Sequence, residues 1–349
     1  LSHQSTDLYY SVKANPNPDV LADLNAAGIN FDVSSVAELQ FLIRLGVAPE
    51  RMTFSGPAKT DLAIREVIKH KIKSIHLDSL EEFDLLKESS LSLSLRVPLE
   101  DSYSQKLGIP MADLVQLLKN SKEKFEGLHV YLGRERAQKQ IIDQYLQIVT
   151  QIYKDHQQAF KGKPNLYWGG GFPAQTFLKA EMMPMTSDFN LHLEAGRALS
   201  HESGYWGTRV LAVKPRTPLN IIVNGGLQYL ASKFSSPQYG QEGLKTFFVS
   251  SENVPLQAQV NRKANIFGSL GIWHDLLAQD IDVPEDLKRG DWIVFNPAGA
   301  YGLSAGVNQF LGPDPVDEYY LKNNSLIKSE KLAVMSYLES GLDESRRAD

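Results

Sequence analysis

The sequence of 349 residues contains no cysteine. This absence rules out disulfide bonds, cysteine-ligated metals and a cysteine nucleophile, although oxidising and reducing compartments are both compatible with it. Long apolar runs are also missing. No stretch reaches the length of a transmembrane helix, and the first residues lack the basic-then-apolar order of a secretory signal. We therefore expect a cytoplasmic protein without a membrane-spanning segment.

Neither sign of charge dominates the chain, which has 36 Lys and Arg, 41 Asp and Glu and a net charge of −5. This balance provides no basic surface for nucleic acid. A hydrophobic fraction of 42% and a charged fraction of 22% are ordinary for a globular protein. The length is sufficient for one large barrel and a smaller domain.

Strand-like and helical runs alternate up to Arg197, which indicates βα units and a parallel sheet. The predicted strands are 8–12, 31–33, 52–55, 75–77, 91–97, 128–132, 166–168 and 191–193. The predicted helices are 18–27, 36–45, 61–70, 80–86, 111–118 and a longer one around 141–152. Short β-rich runs follow at 210–213, 219–223, 247–249 and 292–295. We place the boundary near 198–206, which predicts domains 1–200 and 201–349.

Lys13 is the first candidate for chemistry. The apolar run 8–12 ends at Asn15 and Pro16, so Lys13 lies at the carboxyl end of a strand, where barrels place their active sites. A desolvated lysine can lose its charge and become an amine nucleophile. A solvated lysine that simply follows a strand is the alternative.

Gly169, Gly170 and Gly171 follow a late predicted strand. Glycine lets backbone N–H groups approach an anion closely, and late barrel strands often bind phosphate. We expect a phosphate cradle there, with Arg197 as a charged contact, rather than an ordinary tight turn.

Several motifs occur together in one order. They are Tyr10-Ser11-Val12-Lys13-Ala14-Asn15, Phe31-Asp32-Val33-Ser34-Ser35 with Glu38, Gly56-Pro57-Ala58-Lys59, Asp78-Ser79, Lys106-Leu107-Gly108, the glycine triplet, Glu194-Ala195-Gly196-Arg197 and Gly299-Ala300-Tyr301. This order resembles the fold-type III pyridoxal 5'-phosphate (PLP) enzymes, the alanine racemase-like barrels that include ornithine and diaminopimelate decarboxylases. The resemblance implies an α/β fold, a (β/α)8 TIM-like barrel that binds PLP followed by a β-rich domain, and a strand and helix before Leu1.

The resemblance also implies residue roles. Lys13 forms a Schiff base with PLP, and Glu194 hydrogen-bonds the pyridine nitrogen. The phosphate contacts are Gly169, Gly170, Gly171, Gly196, Arg197 and Tyr301. Asp32, Glu38 and Arg96 support the cofactor, or else they are buried ion-pair partners without a catalytic role.

Departures from the family pattern alter the expected site. Tyr131 takes the place of the ring-stacking histidine and Arg134 that of a phosphate-binding serine, with His129 a lesser candidate for stacking. Gly271 and Ile272 replace the family's proton-donating cysteine and substrate-binding acid, and Leu311 replaces an asparagine. We expect Tyr301, or failing that His274, to donate the proton.

These residues predict a PLP-dependent decarboxylase of an amino acid or an amino-acid-derived substrate. Because Ile272 replaces the acidic residue that binds a basic substrate, we expect a neutral, acidic or carrier-tethered substrate and not free ornithine or lysine. The family implies a homodimer with shared active sites. A PLP-dependent racemase or epimerase, and a non-catalytic PLP-binding homologue, remain alternatives.

Overall fold

A computed structural model of the protein describes residues 6–98, 106–133, 139–171, 186–231, 245–256, 261–272 and 275–329. Contacts divide the chain into two units. The first runs to Ala198 and includes the segment that begins at Glu318, and the second is Leu199–Asp317. None of the described helices is long and apolar enough to cross a membrane.

The first unit contains a closed barrel of eight strands, joined in the order β1 to β8. Its strands are β1 Asp7–Ser11, β2 Asn30–Val33, β3 Met52–Phe54, β4 Ser74–Leu77, β5 Ser92–Arg96, β6 Phe125–Tyr131, β7 Phe160–Gly169 and β8 Asn190–Ala195. Every neighbouring pair is parallel, and β1 closes the barrel against β8. The predicted barrel is thus confirmed.

Helices connect the strands, as parallel pairing requires. They are α1 Pro18–Ala26, α2 Val36–Arg44, α3 Asp61–His70, α4 Leu80–Leu86, α5 Met111–Lys119, α6 Lys139–Asp155 and the short α7 Arg197–Ser200. Several begin at a residue whose side chain accepts a backbone N–H of the first turn, namely Asn17, Ser35, Thr60 and Ser79. The predicted bounds 61–70 and 80–86 agree with α3 and α4 because these caps mark the helix starts.

The barrel interior is polar, whereas such interiors usually contain bulky branched apolar side chains. Side chains alternate along a strand, so apolar residues such as Ile75 and Leu95 face the helices while polar ones face inward. The buried inward set is Ser11, Asp32, Ser74, His76, Ser94, Arg96, His129, Asn165, Tyr167, His192 and Glu194. Many of these groups bond to one another, as His76 and His129 do to Glu194, so hydrogen bonds help to organise the interior.

The second unit contains a six-stranded sheet, in the order β11, β14, β9, β10, β12, β13. These strands are β9 Trp206–Lys214, β10 Leu219–Val223, β11 Lys245–Val249, β12 Asn261–Phe267, β13 Leu276–Pro284 and β14 Trp292–Asn296. Its core includes Val210, Ile221, Ile266, Leu277 and Phe295. The sequence prediction omitted β12 and β13, in which polar residues interrupt the apolar pattern. The β-rich unit itself is confirmed.

A hairpin of β15 Tyr319–Lys322 and β16 Ser325–Lys328 groups with the barrel unit. The Tyr320 hydroxyl donates to the Asp23 carboxylate on α1. Just after the hairpin, the Ser329 hydroxyl donates to Asp19 Oδ2 at 2.6 Å. These polar contacts attach the hairpin to α1. The domain limits 1–200 and 201–349 stay a prediction.

Candidate active site

Four neighbouring strands of the closed barrel, β7, β8, β1 and β2, carry most of the predicted site residues at their carboxyl ends. The register pairs Gly169 with Glu194 and Tyr9 with Glu194, while Ser11 pairs with Asp32. Lys13 follows β1 in a short 3₁₀ turn, Val12–Ala14. The barrel thus brings together at one rim groups that are far apart in the sequence.

Lys13 lies at this rim with its side chain 42% exposed. Its Nζ donates to Asp32 Oδ2 at 3.2 Å and to Ser34 Oγ at 2.8 Å. The Ser11 hydroxyl donates to the same Asp32 oxygen at 3.1 Å. Lys13 is therefore held in place by a buried carboxylate while it remains accessible to a small molecule.

Two buried carboxyl groups support this corner of the site. Burial raises the pKa of Asp32, and the charge of Lys13 offsets part of that rise. Burial likewise raises the pKa of Glu38, whose Oε2 accepts the backbone N–H of Ser34 at 2.6 Å. Glu38 thus orders the backbone of Ser34, and Asp32 contacts Lys13 directly.

Glu194 is a buried carboxylate with a histidine at each oxygen. Its Oε1 lies 2.9 Å from His76 Nε2, and its Oε2 lies 3.1 Å from His129 Nε2. Burial alone would raise the pKa of this carboxyl group, but the adjacent His129 and His76 outweigh burial and hold the pKa of Glu194 well below its usual range. Glu194 is therefore ionised at neutral pH.

Arg96 fixes the tautomer of His129. Its Nε donates to His129 Nδ1 at 3.0 Å, its NH1 to Asp78 Oδ1 at 2.9 Å and its NH2 to the Ser55 carbonyl at 2.6 Å. Because the guanidinium is always a donor, His129 Nδ1 must accept and Nε2 must carry the proton. Burial lowers the pKa of His129 to about 3, so the ring is neutral and donates to Glu194.

The glycine triplet leaves space that side chains would fill. A Cβ on Gly169 would lie 2.5 Å from His129 Nε2, and one on Gly171 would lie 2.6 Å from the Gly133 carbonyl oxygen. Gly170 and Gly171 also have positive φ angles of 60° and 83°, which favour glycine. The end of β7 therefore exposes backbone beside Glu194.

The remaining predicted residues are distributed over both units. Tyr131 lies beside the triplet, with a Cβ on Gly170 only 3.4 Å from its ring. Gly196 links β8 to α7, and the buried Arg197 begins α7. Tyr301 belongs to the second unit. Arg134 and His274 lie outside the described residues.

Sequence reasoning ranked His129 below Tyr131 and did not single out His76. In the structure His129 and His76 contact Glu194. The available signal was alternation, because polar Ser74 and His76 alternate with apolar Ile75 and Leu77 along β4, and Asp78 follows two residues after His76. Glu194 is 118 residues away from His76 in the sequence, so only barrel closure reveals the pair.

Two histidines and a carboxylate also make a possible metal-ligand set, since ligand atoms of His76, His129 and Glu194 lie within 4.8 Å of one another. A metal needs the Nε2 lone pair of His129. That nitrogen carries a proton because Nδ1 accepts from Arg96, whose positive charge would also repel a cation. We therefore interpret the three side chains as a carboxylate hydrogen-bonded by two histidines, and not as a set of metal ligands.

An accessible lysine amine, an ionised carboxylate and exposed glycine backbone at one barrel rim define a class of barrel proteins suited to an anionic, carbonyl-bearing cofactor. The sequence model described as "Pyridoxal-dependent decarboxylase, pyridoxal binding domain" matches residues 2–200. The chain therefore belongs to the family of PLP-dependent, fold-type III decarboxylases, and the family resemblance is confirmed.

Individual relatives are distant. The chain is 27% identical over 359 residues to a probable ornithine decarboxylase of Dictyostelium discoideum, covering 92% of this chain and 75% of the relative. It is 25% identical over 350 residues to a diaminopimelate decarboxylase of Bacteroides thetaiotaomicron, covering 88% and 86%. A solved diaminopimelate decarboxylase of Helicobacter pylori, complexed with L-lysine, superposes with a TM-score of 0.78 at 19% identity, covering 98% and 92%. That structural likeness supports the fold.

The residues present fit PLP. Lys13 offers an accessible amine, and the glycines offer a cradle that a Cβ would fill. Each oxygen of Glu194 accepts one histidine N–H and keeps a further lone pair for a ring N–H donor. The donor set thus matches an aldehyde, a phosphate and a pyridine nitrogen.

Proposed function

We propose that this chain is a PLP-dependent decarboxylase that acts on an amino acid or an amino-acid derivative through Lys13. The observation that carries the proposal is the meeting of Lys13, Asp32, Glu194 and the glycine triplet at the ends of four neighbouring strands. Family membership supports the same reaction class.

The proposed roles follow from position. Lys13 Nζ would hold the aldehyde carbon, the glycines with Gly196 and Arg197 would bind the phosphate, and Glu194 would accept a hydrogen bond from the protonated ring nitrogen. When bound, PLP supplies a ring that withdraws electrons from the substrate's Cα. An ionised Glu194 keeps the ring nitrogen positive, which favours decarboxylation over racemisation. Asp32 keeps Lys13 aimed at the site.

The substrate proposal comes from Gly271 and Ile272 in the second unit. A Cβ on Gly271 would meet nothing within 4 Å, so the position is open. Ile272 packs against the apolar cluster of Leu227, Ala231 and Leu270, at the position where the family pattern has the acidic residue that binds a distal ammonium. The nearby Asp275 carboxylate already accepts the backbone N–H groups of Leu227 and Leu270. An unpaired buried cation is costly. We therefore propose a neutral, acidic or carrier-tethered substrate, although the relatives above are named for ornithine and diaminopimelate.

Two further parts of the proposal rest on family membership. We propose a homodimer in which the β-rich unit of one protomer completes the barrel site of its partner. We also propose that Tyr301, rather than His274, donates the proton to the substrate carbon. Tyr301 adopts a positive φ of 55°, an uncommon backbone conformation that a functional site can require.

The test is to load the protein with PLP and incubate it with ornithine, lysine, diaminopimelate and a series of neutral and acidic amino acids. Release of CO2 would support decarboxylation, whereas conversion of the substrate to its other stereoisomer without release of CO2 would indicate racemisation. Loaded protein that does neither with any substrate would indicate a non-catalytic homologue. Rapid decarboxylation of free ornithine would contradict the substrate proposal alone.

A further inference from the structure

His76 is the least expected member of the site. It lies on β4 with no exposed surface, and its Nε2 is 2.9 Å from Glu194 Oε1. Its Nδ1 has no hydrogen-bond partner among the described residues. Because Glu194 is ionised and can only accept, His76 Nε2 carries the proton and donates a hydrogen bond to the carboxylate.

The two histidines therefore act on Glu194 as a pair. His129 donates to Oε2 because Arg96 occupies its Nδ1, and His76 donates to Oε1. Charge-assisted hydrogen bonds to a buried carboxylate are strong, and they favour its ionised form. Two N–H donors, one on each oxygen, also prevent the carboxylate from rotating.

Packing holds His76 in position. Its ring stacks on His129 at a centroid distance of 4.5 Å and an angle of 24°, and it lies against Tyr167 at 4.5 Å. Its carbonyl oxygen accepts from Lys59 Nζ at 2.6 Å, and Lys59 is ion-paired with Glu82 at 2.9 Å. The ring and the backbone of His76 are thus both fixed, so its Nε2–H group points toward Glu194.

The charge of Asp32 acts against the ionised form of Glu194, since the negative charge of Glu194 contributes to the raised pKa of Asp32, after the larger effect of burial. Arg96 reaches Glu194 only through His129. Loss of the His76 donor would therefore weaken the ionised form while the repulsion from Asp32 remained.

We propose that His76 is a positioning residue that keeps Glu194 ionised and oriented, and thereby keeps the cofactor's ring nitrogen protonated. This inference rests on the proposed function, in which Glu194 accepts from that nitrogen. It assigns His76 a role that His129 alone does not fill, because His129 reaches only one of the two carboxylate oxygens.

Two variants separate the N–H donor from the ring. His76→Phe keeps a flat ring against His129 and Tyr167 but has no donor. His76→Gln has an amide donor of similar reach but no ring. His192→Phe is the control, because His192 is another buried barrel histidine that stacks on Tyr167 but pairs with Asp7 at 3.1 Å.

The measurement is the 15N chemical shift of the ring nitrogen in protein loaded with labelled PLP, together with kcat and KM. We expect a protonated nitrogen in wild type, His76→Gln and His192→Phe. In His76→Phe we expect the proton between Glu194 and the ring nitrogen to move toward Glu194, so that the 15N chemical shift moves toward the value of neutral pyridine. We also expect kcat to fall about 10- to 100-fold with little change in KM, as for the loss of one charge-assisted hydrogen bond.

Each outcome decides between the explanations. A wild-type nitrogen shift in folded, loaded His76→Phe would overturn the inference. A loss of protonation in folded His76→Gln, or in His192→Phe, would also overturn it, because packing would then be the cause. If His76→Phe did not fold, His76→Gln would decide alone. Wild type that takes up no PLP would instead contradict the proposed function, and with it the inference.

Discussion

Replacing Arg96 with methionine tests most directly whether the buried polar contacts stabilise the barrel. The arginine side chain is only 6% exposed and its partner Asp78 only 7%. Methionine keeps much of the aliphatic length but removes all three hydrogen bonds to His129, Asp78 and Ser55. Among the described residues, the Asp78 carboxylate then keeps only the Gly108 N–H, at 2.9 Å, as a hydrogen-bond donor.

The expected cost follows from burial. Breaking a buried ion pair by removing one partner costs about 3–5 kcal/mol, because the remaining charge stays desolvated. For a unit of this size each kcal/mol lowers Tm by about 2–4 °C, so we expect a drop of roughly 6–20 °C. Loss of Arg96 also frees His129 Nδ1 and removes a positive charge that lowers the pKa of that ring, so the pKa of His129 rises.

The assay is thermal and denaturant unfolding of Arg96→Met beside Lys69→Met. Lys69 is 66% exposed and forms a partly exposed pair with Glu66 at 3.2 Å, and Glu66 keeps its hydrogen bond from Gln40 when Lys69 is replaced. Such surface pairs contribute about 0–1 kcal/mol. The double variant Arg96→Met with Asp78→Asn should recover part of the loss because it removes the stranded charge. If Arg96→Met cost no more than Lys69→Met, the reasoning would be refuted.

Two further predictions concern stability. Burial lowers the pKa of His129 to about 3 and of His192 to about 4. At low pH the unfolded chain therefore binds protons that the native barrel excludes. The free energy of unfolding should fall as the pH drops below about 6.5, by up to about 1.4 kcal/mol per pH unit for each histidine. Urea titrations at several pH values measure this dependence, and a free energy of unfolding that did not change with pH would contradict it. In the second unit, the buried Asp275 accepts two loop N–H groups at 2.8 Å each. Asp275→Asn should lower the free energy of unfolding by about 2–3 kcal/mol, whereas Asp282→Asn, at an exposed position, should lower it by less than about 1 kcal/mol. Equal losses of the two variants in chemical denaturation would show that the Asp275 carboxylate does not stabilise the loop.

Local patterns in the sequence were sufficient to predict alternating strands and helices and a parallel sheet, whereas the closed barrel was inferred from the family resemblance. The predicted helices 61–70 and 80–86 have the observed bounds of α3 and α4, and in the structure the side chains of Thr60 and Ser79 cap the two helices. Lys13 was placed at a strand end because Asn15 and Pro16 stop the strand. Each of these inferences needs only neighbouring residues, which determine backbone preference directly.

Contacts between distant strands were harder to predict. The His76 bond to Glu194 spans 118 residues, and it depends on β4 and β8 facing each other across a closed barrel. The strand β13 was missed because Gln279 and Asp280 interrupt it, and only pairing with β12 makes this segment a strand. The hairpin at 319–328 reaches α1 through polar contacts for which no local pattern is diagnostic.

The central claim is that Lys13 binds PLP. The most direct measurement is borohydride reduction of the PLP-loaded protein followed by peptide mapping, with Lys13→Ala and Lys87→Ala as a matched pair. Lys87 is a suitable control because its side chain is 44% exposed and ion-paired with Asp84 at 2.8 Å, much as Lys13 is 42% exposed and paired with Asp32. We predict a pyridoxyl group on Lys13 in wild type and in Lys87→Ala, and none in Lys13→Ala. A label on another lysine, or labelling that survives in Lys13→Ala, would contradict the account.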